Sequence, residues 1–447
     1  MCAMKFSDYL QSPVPSSGQR SQAGNADAVR SQLRDALYEE VSSEKIAQLL
    51  ASGRAHARIE LTAAIEQILK ARDFARLDPD DMAAIVAETL DMVLGLGPLE
   101  RLLNDPAVTE VMVNGPGSVY FEREGMLYRS DESFESEEQL RLVVDRIVSP
   151  LGRRVDEQSP IVNARLPEGH RVNAIIPPLS LGGTTLTIRK FRAQAYTLAE
   201  LVELGSLSEE METLLVWGVQ SRKNIAVSGG TGGGKTTLLN ALSQHIPKQE
   251  RIITIEDSAE LRFDEHPHVV RLEARMPNSE GKGLVTIREL VINSLRMRPD
   301  RIVVGEVRGA EAADMLQAMT TGHDGSLTTL HANGPEEVVP RLVMMVRYGM
   351  ELPVEIIEAQ IASALDLVVQ QDRVGGGHRR ITQIAMRSAG ASAGDSAGFF
   401  TPIVQWDRRA GSYSWGALPD WVDDLPYLGI ASAEEVETWR HSVQRCS

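Results

Sequence analysis

Residues 225–237 read IAVSGGTGGGKTT, and this stretch decides the architecture of the region around it. A short apolar strand runs into a glycine-rich loop, and a helix-forming segment, residues 238–243, follows directly. The loop satisfies the spacing GxxxxGK[ST] in the strand, loop and helix context that this pattern requires. The residues of the predicted anion cradle are Gly229, Gly230, Thr231, Gly232, Gly233, Gly234, Lys235, Thr236 and Thr237.

Each residue type in this loop suits a bound triphosphate. Glycines let backbone amides turn toward phosphate oxygens, and the helix N-terminus adds a favourable dipole. Lys235 supplies a positive charge, and Thr236 supplies a hydroxyl for Mg²⁺. The alternative is a glycine-rich turn without a ligand, but the agreement of pattern and context favours a site for ATP and Mg²⁺.

Two apolar segments that end in acids follow downstream, at residues 252–257 (IITIED) and 301–306 (RIVVGE). Parallel strands end at one edge of a sheet, so these acids are expected to meet at the glycine-rich loop. Such acids hold the metal with its water or activate the attacking water. The alternative is that each carboxylate caps a helix or closes a surface salt bridge. The candidates are Glu306, Glu256, Asp257 and Glu260, with Thr236, Glu256 and Asp257 as the predicted Mg²⁺ contacts.

Two histidines flank a strand-like stretch within residues 321–333, TGHDGSLTTLHAN. Either His323 or His331 can sense a phosphate by hydrogen bonding, and either can be a satisfied structural residue. A zinc site is disfavoured because neither a cysteine nor a third clustered ligand accompanies them.

Composition limits the remaining classes. The net charge of −16 and a pI near 5.1 argue against a protein whose main task is to hold a polyanion, so no nucleic acid partner is expected. The sequence contains no uninterrupted apolar run of the roughly 18 residues that would span a bilayer, which predicts peripheral membrane contact at most. The two cysteines, Cys2 and Cys446, suit a reducing cytoplasm.

Changes in composition along the chain predict its domain organisation. Apolar residues first recur at helical spacing, then alternate with polar residues as in strands, and finally strand-like and helix-like segments follow one another. This order indicates an α/β protein of several domains. An Ala/Gly/Ser-rich segment separates the last of these from a segment that holds four of the five tryptophans. The predicted parts are a flexible tail (1–28), a helical bundle (29–96), an α+β domain (97–192), an α/β domain (197–388), a flexible linker (389–399) and a Trp-rich C-terminal appendage (400–447).

Four segments together resemble the P-loop, Asp box, Walker B and His box of the type II/type IV secretion ATPases. They are residues 229–237, residues 254–261 (TIEDSAEL), residues 298–309 (RPDRIVVGEVRG) and residues 321–333. Residues 165–173 (RLPEGHRVN) and 188–191 (IRKF) look like the N-terminal domain of the same family, so the resemblance spans about residues 97–386. The GEVRG form of Walker B and the helical extension are most similar to the CpaF-type ATPases of tight-adherence (Flp/Tad) pili.

The resemblance implies a hexameric ring in which a PAS-like domain, here 97–192, and a RecA-like domain, here 197–388, enclose the nucleotide. It also implies roles for individual residues. Glu306 would be the general base, Lys235 and Thr236 would bind phosphate and Mg²⁺, and His331 would contact the γ-phosphate. One departure is Gly233, where Ser is commoner; this removes a hydroxyl but no backbone amide.

Arginines are the natural partners of transition-state charge, because a planar guanidinium grips phosphate oxygens and stays protonated. By resemblance, the arginine-finger candidates of the N-terminal domain are Arg165, Arg171, Arg189 and Arg192. Arg296 and Arg298 are further candidates. The structural alternative for each is a surface ion pair.

The expected function is that of a cytoplasmic motor, peripheral to the inner membrane, which hydrolyses ATP to assemble or retract a Tad/Flp pilus through membrane platform proteins. The alternatives are a type IV secretion or conjugation ATPase and a nucleotide-binding scaffold with little turnover. A DNA-translocating motor is disfavoured by the acidic balance.

Overall fold

A computed structural model describes residues 29, 32–33, 36–37, 39–41, 45, 49, 54–72, 74, 78–123, 125–149, 153–191, 195–263, 265–277, 281–388 and 398–446. The chain divides into two compact units with the boundary between residues 192 and 193. This boundary lies where the sequence predicts the change from the α+β domain to the α/β domain. The predicted tail, residues 1–28, lies outside the described residues, as does most of the predicted linker, residues 389–397.

The first unit opens with two helices, α1 (Arg54–Ala71) and α2 (Pro79–Leu94). Asp78 caps α2 by accepting a hydrogen bond from the amide of Asp80, and Pro79 occupies the first turn, where its missing N–H costs nothing. Apolar residues of both helices and of the preceding helical segment form a core of their own, which includes Leu33, Leu61 and Ile85. The helical bundle of residues 29–96 stays a prediction.

The rest of the first unit is a six-stranded antiparallel sheet in the order β3-β2-β1-β6-β5-β4. Apolar side chains such as Val111 and Ile188 alternate with polar ones, so one face of the sheet is buried against helix α4. The elements are a 3₁₀ turn (Gly97–Leu99), α3 (Glu100–Asn104), β1 (Val108–Asn114), β2 (Val119–Arg123), β3 (Met126–Arg129), α4 (Glu137–Val148), β4 (Ile161–Arg165), β5 (Arg171–Ile175) and β6 (Thr185–Arg189).

The second unit is built on a nine-stranded sheet in the order β15-β14-β13-β12-β7-β11-β10-β8-β9. Six neighbouring strands of the sheet, β12, β7, β11, β10, β8 and β9, are parallel to one another. The strands β13, β14 and β15 extend the sheet in antiparallel pairs. The strands are β7 (Ile225–Ser228), β8 (Ile252–Glu256), β9 (Val269–Glu273), β10 (Arg301–Val307), β11 (Leu327–Leu330), β12 (Leu367–Arg373), β13 (Arg379–Arg387), β14 (Phe400–Asp407) and β15 (Ser412–Trp415).

Helices cover both faces of this sheet. Along β7, Ile225 and Val227 point into one apolar core and Ala226 into the other, which explains why the central strands are apolar throughout. The helices are α5 (Leu198–Glu203), α6 (Glu209–Gln220), α7 (Lys235–Ser243), α8 (Ile287–Ser294), α9 (Glu311–Thr320), α10 (Pro335–Arg347), α11 (Val354–Ala364), α12 (Leu425–Leu428) and α13 (Ala433–Cys446).

The C-terminal segment differs from the separate appendage that the sequence predicts. Its strands β14 and β15 join the sheet of the second unit through β13. Trp439 of α13 lies against Trp217 of α6 and donates its indole N–H to the Glu210 carbonyl at 2.9 Å. The segment is therefore part of the α/β unit, held by the same apolar core.

Over the described residues, helices long and apolar enough to cross a bilayer are absent.

Candidate active site

The glycine-rich loop leaves the carboxyl end of β7 and enters α7 at Lys235. Gly234 has φ +98°, a conformation that favours glycine. The loop also packs closely against the next strand: a Cβ added at Gly229 would lie 2.1 Å from the main-chain oxygen of Gln371, and one at Gly233 would lie 2.9 Å from it. The unusual glycine at 233 therefore has a steric cause in β12.

Lys235 is buried at the base of this loop. Its Nζ donates to the carbonyl oxygens of Gly229 at 3.1 Å and Gly230 at 3.0 Å, and it lies 3.5 Å from Nε2 of His331. Burial lowers the pKa of Lys235, whereas nearby Glu306 raises it. The ammonium group is thus placed on the loop that the sequence assigns to phosphate.

Glu306 lies on β10, which β11 separates from β7. Its Oε1 is 2.8 Å from Nε2 of His331, and its Oε2 accepts a hydrogen bond from Arg308. Arg308 also reaches Oδ2 of Asp257 at 3.4 Å. The side chain of Glu306 is 19% exposed and that of Arg308 58%, so the acid is enclosed while its arginine partner faces solvent.

His331 joins the lysine and the acid. Burial lowers its pKa, the charge of Lys235 lowers it further, and Glu306 opposes both. The contact of Nε2 with Oε1 of Glu306 is a close electrostatic one, since no described group hydrogen-bonds that oxygen, and Lys235 Nζ lies 3.5 Å from the same nitrogen. Lys235, Glu306 and His331, three residues predicted from separate segments, are brought together at one edge of the sheet.

Glu256 ends the neighbouring strand β8, but it is buried rather than open to solvent. Its Oε1 accepts the amides of Glu260 at 2.8 Å and Leu261 at 2.9 Å, and no described residue bonds its Oε2. Burial raises its pKa to about 7, and the two amide hydrogen bonds oppose that rise. Glu256 thus holds the following loop in place.

Gly305, immediately before Glu306, makes room for Glu256. A Cβ added there would lie 2.9 Å from Cγ of Glu256. The adjacent strands β8 and β10 therefore accommodate the buried acid only because residue 305 has no side chain.

The other candidates of the second unit have different surroundings. His323 contacts the Ala318 carbonyl at 3.3 Å, at the end of α9, so of the two histidines it is the one with a structural role. Arg296 and Arg298 lie in the turn before β10, and Arg298 has φ +55°. Thr236, on the first turn of α7, is half-buried.

The predicted arginines of the first unit form a row across its sheet. Arg165 pairs with Arg171 between β4 and β5, and Arg171 pairs with Arg189 between β5 and β6. The row continues to Glu110 on β1. Paired positions share a face, and here it is the face opposite the apolar core. Arg192, the fourth candidate, lies outside the described residues.

Sequence reasoning missed the polar residues of β12. Gln370 accepts a hydrogen bond from Ser228 Oγ at 2.6 Å and donates to Asp372 at 2.8 Å and to the Ala332 carbonyl at 3.4 Å. It thereby connects the end of β7, before the glycine-rich loop, with the residue after His331. Two consecutive glutamines in an apolar strand were the available signal.

Residues 93–381 match the family model described as "Type II/IV secretion system protein". The chain belongs to the type II/IV secretion system protein family. The matched region agrees with the resemblance seen at residues 97–386, and it contains the candidate residues of both units.

Curated relatives in this secretion family include a putative conjugal transfer protein of Mycobacterium tuberculosis, 41% identical over 298 residues, which cover 65% of this chain and 84% of the relative. The type IV secretion system protein VirB11 of Brucella suis is 36% identical over 324 residues, covering 65% and 88%. PtlH of Bordetella pertussis, also a type IV secretion system protein, is 34% identical over 318 residues, covering 65% and 94%.

Solved structures of related chains include the VirB11 ATPase of Brucella suis in complex with sulphate, with 32% identity, a TM-score of 0.36, and coverage of 67% of this chain and 97% of that chain. The pilus retraction motor PilT with bound ADP has 18% identity, a TM-score of 0.48, and coverage of 78% and 88%.

Proposed function

We propose that this secretion-family protein hydrolyses ATP at the edge where Lys235, His331 and Glu306 meet. The supporting observation is the 2.8 Å contact between His331 Nε2 and Glu306 Oε1, with the Lys235 ammonium 3.5 Å from the same nitrogen. An enclosed carboxylate beside a phosphate-binding lysine is the pairing that phosphoryl transfer to water needs.

The residues present fit a nucleotide with Mg²⁺. The close approach of the Gln371 main-chain oxygen leaves no space for a side chain at Gly229 or Gly233 of the cradle. The oxygens of Thr236, of Asp257 after β8 and of Glu306 on β10 are the hard donors that Mg²⁺ prefers, whereas Glu256, predicted as a Mg²⁺ contact, is buried and holds two backbone amides. When bound, Mg²⁺ would neutralise charge on the phosphates.

The chain's own residues then divide the work of hydrolysis. Lys235 donates to the Gly229 and Gly230 carbonyls, and it exchanges them for phosphate oxygens when nucleotide binds. Glu306 accepts the proton of the attacking water. Because Arg308 donates to its Oε2 and His331 lies 2.8 Å from its Oε1, one of the two must move aside to admit the water, and Arg308 is the more exposed of the two.

The arginine row supports a role in charge stabilisation. Arg165, Arg171 and Arg189 occupy successive cross-strand positions, which places three guanidinium side chains on one face of the sheet. We assign them, together with Arg192, to the phosphates of the nucleotide as the family resemblance implies.

The biological role we propose is a motor for a Tad/Flp pilus at the cytoplasmic face of the inner membrane, acting through platform proteins there. The specific support is the GEVRG sequence and the helical extension before residue 97. A type IV secretion or conjugation ATPase is the second candidate, favoured by the names of the relatives in Mycobacterium, Brucella and Bordetella.

A hexameric ring is part of the proposal, because head-to-tail rings place residues of one subunit at the site of the next. Mass measurement with and without a non-hydrolysable ATP analogue tests it. A chain that stays monomeric under both conditions contradicts the ring.

Replacement of Glu306 by Gln tests hydrolysis itself. The variant keeps the shape of the side chain but cannot accept a proton, so turnover should fall at least about a hundredfold while nucleotide binding persists. Steady-state phosphate release and equilibrium titration with MgADP measure the two quantities.

The matched control is Glu273→Gln, the same substitution at the exposed end of the edge strand β9, which should retain turnover. Wild-type protein that binds nucleotide without turning it over supports the scaffold alternative. Full turnover in Glu306→Gln removes Glu306 from the mechanism.

A further inference from the structure

We propose that Arg379 is a positioning residue for the glycine-rich loop, and that the C-terminal strands β14 and β15 hold it in place through Trp406 and Arg380. This inference rests on the proposed function, because its purpose is to shape the loop that binds nucleotide. The residues that carry it lie partly beyond residue 381, where the family match ends.

The loop depends on contacts from outside for its shape. Gly232, Gly233 and Gly234 are consecutive, and Gly232 and Gly234 have φ of +72° and +98°. A run of glycines has many accessible backbone states, so an ordered run loses more conformational entropy than other residues do. Inside the loop, the Gly233 amide donates to the Gly230 carbonyl at 3.2 Å, and contacts from neighbouring elements add to that constraint.

Arg379 provides one of those contacts. Its Nε donates to the Gly232 carbonyl at 3.0 Å, and its Cδ lies 3.0 Å from where a Cβ on Gly234 would stand. Holding the carbonyl of Gly232 outward fixes the plane of the peptide that follows it. The amide of that peptide, on Gly233, is thereby kept in one orientation.

Arg379 begins β13, at the end of the β12–β13 hairpin, where it pairs with Arg373. Its neighbour Arg380 pairs with Asp372. Successive strand residues point to opposite faces, so Arg379 reaches the loop while Arg380 points away from it. The orientation of Arg380 therefore bears directly on that of Arg379.

Two aromatic side chains of the C-terminal segment contact Arg380. The guanidinium carbon of Arg380 lies 3.9 Å from the centroid of the Trp406 ring and 5.9 Å from that of Tyr413. Trp406 and Tyr413 pack edge to face at 4.9 Å, and the Tyr413 hydroxyl donates to the Ile381 carbonyl at 3.0 Å. Two aromatic rings on adjacent strands thus immobilise the residue next to Arg379.

The test compares Arg379→Ala, Arg379→Lys, Trp406→Ala and the double variant Arg379→Ala/Trp406→Ala in the full chain. Trp421→Ala is the matched control. Trp421 lies in the same C-terminal segment, but its cation–π partner is Lys223, before β7, and not a residue of the hairpin. Amide hydrogen exchange of residues 229–237 in nucleotide-free protein reports loop order directly. Titration with MgADP and the separate values of KM and kcat report its consequence.

Arg379→Ala should raise exchange in the loop and weaken MgADP binding about five- to tenfold, the effect of losing one ordinary hydrogen bond at a solvent-exposed side chain. KM for ATP should rise by a similar factor with kcat nearly unchanged, and Arg379→Lys should recover part of the loss. Trp406→Ala should change the same quantities less. The double variant should match Arg379→Ala, because both changes act on one contact.

Unchanged loop exchange in Arg379→Ala overturns the proposal. So does an equal effect of Trp406→Ala and Trp421→Ala, which indicates general loss of stability. Absence of ATP turnover in the wild type would refute the proposed function alone, since the exchange measurement in nucleotide-free protein still decides the role of Arg379.

Discussion

Glu256 and Glu306 end neighbouring parallel strands, yet their surroundings give them different chemistry. Glu306 is enclosed beside His331 and Arg308, and its negative charge raises the pKa of Lys235. Glu256 is buried against Gly305 and holds the amides of Glu260 and Leu261. At the scale of single residues, the first is suited to accept a proton and the second to shape the loop after β8.

The raised pKa of Glu256 predicts a pH-dependent stability. Its pKa rises from 4.5 to about 7 because burial penalises the charged carboxylate. The folded protein therefore binds this proton more tightly than the unfolded chain. The resulting stabilisation is complete below pH 4.5 and is lost as the pH rises to about 7, by up to about 3 kcal/mol.

Glu256→Gln measures this contribution, because glutamine retains the oxygen that accepts the two amides but does not titrate. We expect wild type to lose free energy of unfolding relative to Glu256→Gln as the pH rises from 4.5 to 7 in urea titrations. A difference that stays constant across that range would show that Glu256 ionises as an exposed acid does.

Sequence alone predicts where Glu306, Lys235 and His331 meet, because each ends or begins an element at one sheet edge. It does not predict the burial of Glu256, since an apolar strand followed by two acids fits a buried and an exposed carboxylate equally well. The residue pattern by itself does not choose between His323 and His331, and the preference for His331 comes from the family resemblance. That choice depends on which ring meets a helix carbonyl and which meets Glu306, a tertiary contact.

At the scale of elements, the glycine-rich loop and strand β12 define each other. The main-chain oxygen of Gln371 touches the positions where side chains of Gly229 and Gly233 would stand. The glycine at 233 is thus a consequence of how close β12 runs to the loop. A larger residue at position 233 would therefore require β12 to move away from the loop.

Restoring the commoner serine at 233 should therefore weaken nucleotide binding. The new Cβ would lie 2.9 Å from the Gln371 oxygen and 3.1 Å from that of Gly230, both main-chain atoms that move only with their elements. Overpacking of this kind costs about 1 to 3 kcal/mol. MgADP titration of Gly233→Ser measures the loss.

Gly117→Ser is the control for that change, because Gly117 lies outside the glycine-rich loop and a Cβ there meets nothing within 4 Å. Its affinity for MgADP should stay close to wild type. Equal affinities of Gly233→Ser and wild type would mean that β12 does not constrain the loop.

The C-terminal elements show why sequence patterns misplaced a boundary. A low-complexity stretch before residue 400 and a cluster of tryptophans predict an appendage. The pairing of β14 with β13, and the packing of Trp439 on Trp217, are contacts between residues far apart in sequence. Neither the register of an edge strand nor the partner of a tryptophan is encoded locally.

At the scale of the whole molecule, two compact units carry the predicted groups. The first holds the row of Arg165, Arg171 and Arg189, and the second holds Lys235, Glu306 and His331. The family match covers both sets of residues. The PAS-like and RecA-like descriptions and the hexameric ring stay predictions drawn from resemblance.

The most direct test of the central claim is a titration of the full chain with a non-hydrolysable ATP analogue and Mg²⁺, for wild type and for Lys235→Ala. The account predicts saturable binding by wild type and an affinity at least about tenfold weaker without the lysine, the loss expected for a charge-assisted hydrogen bond to phosphate. Failure of wild type to bind, or equal affinity of the two proteins, would contradict it.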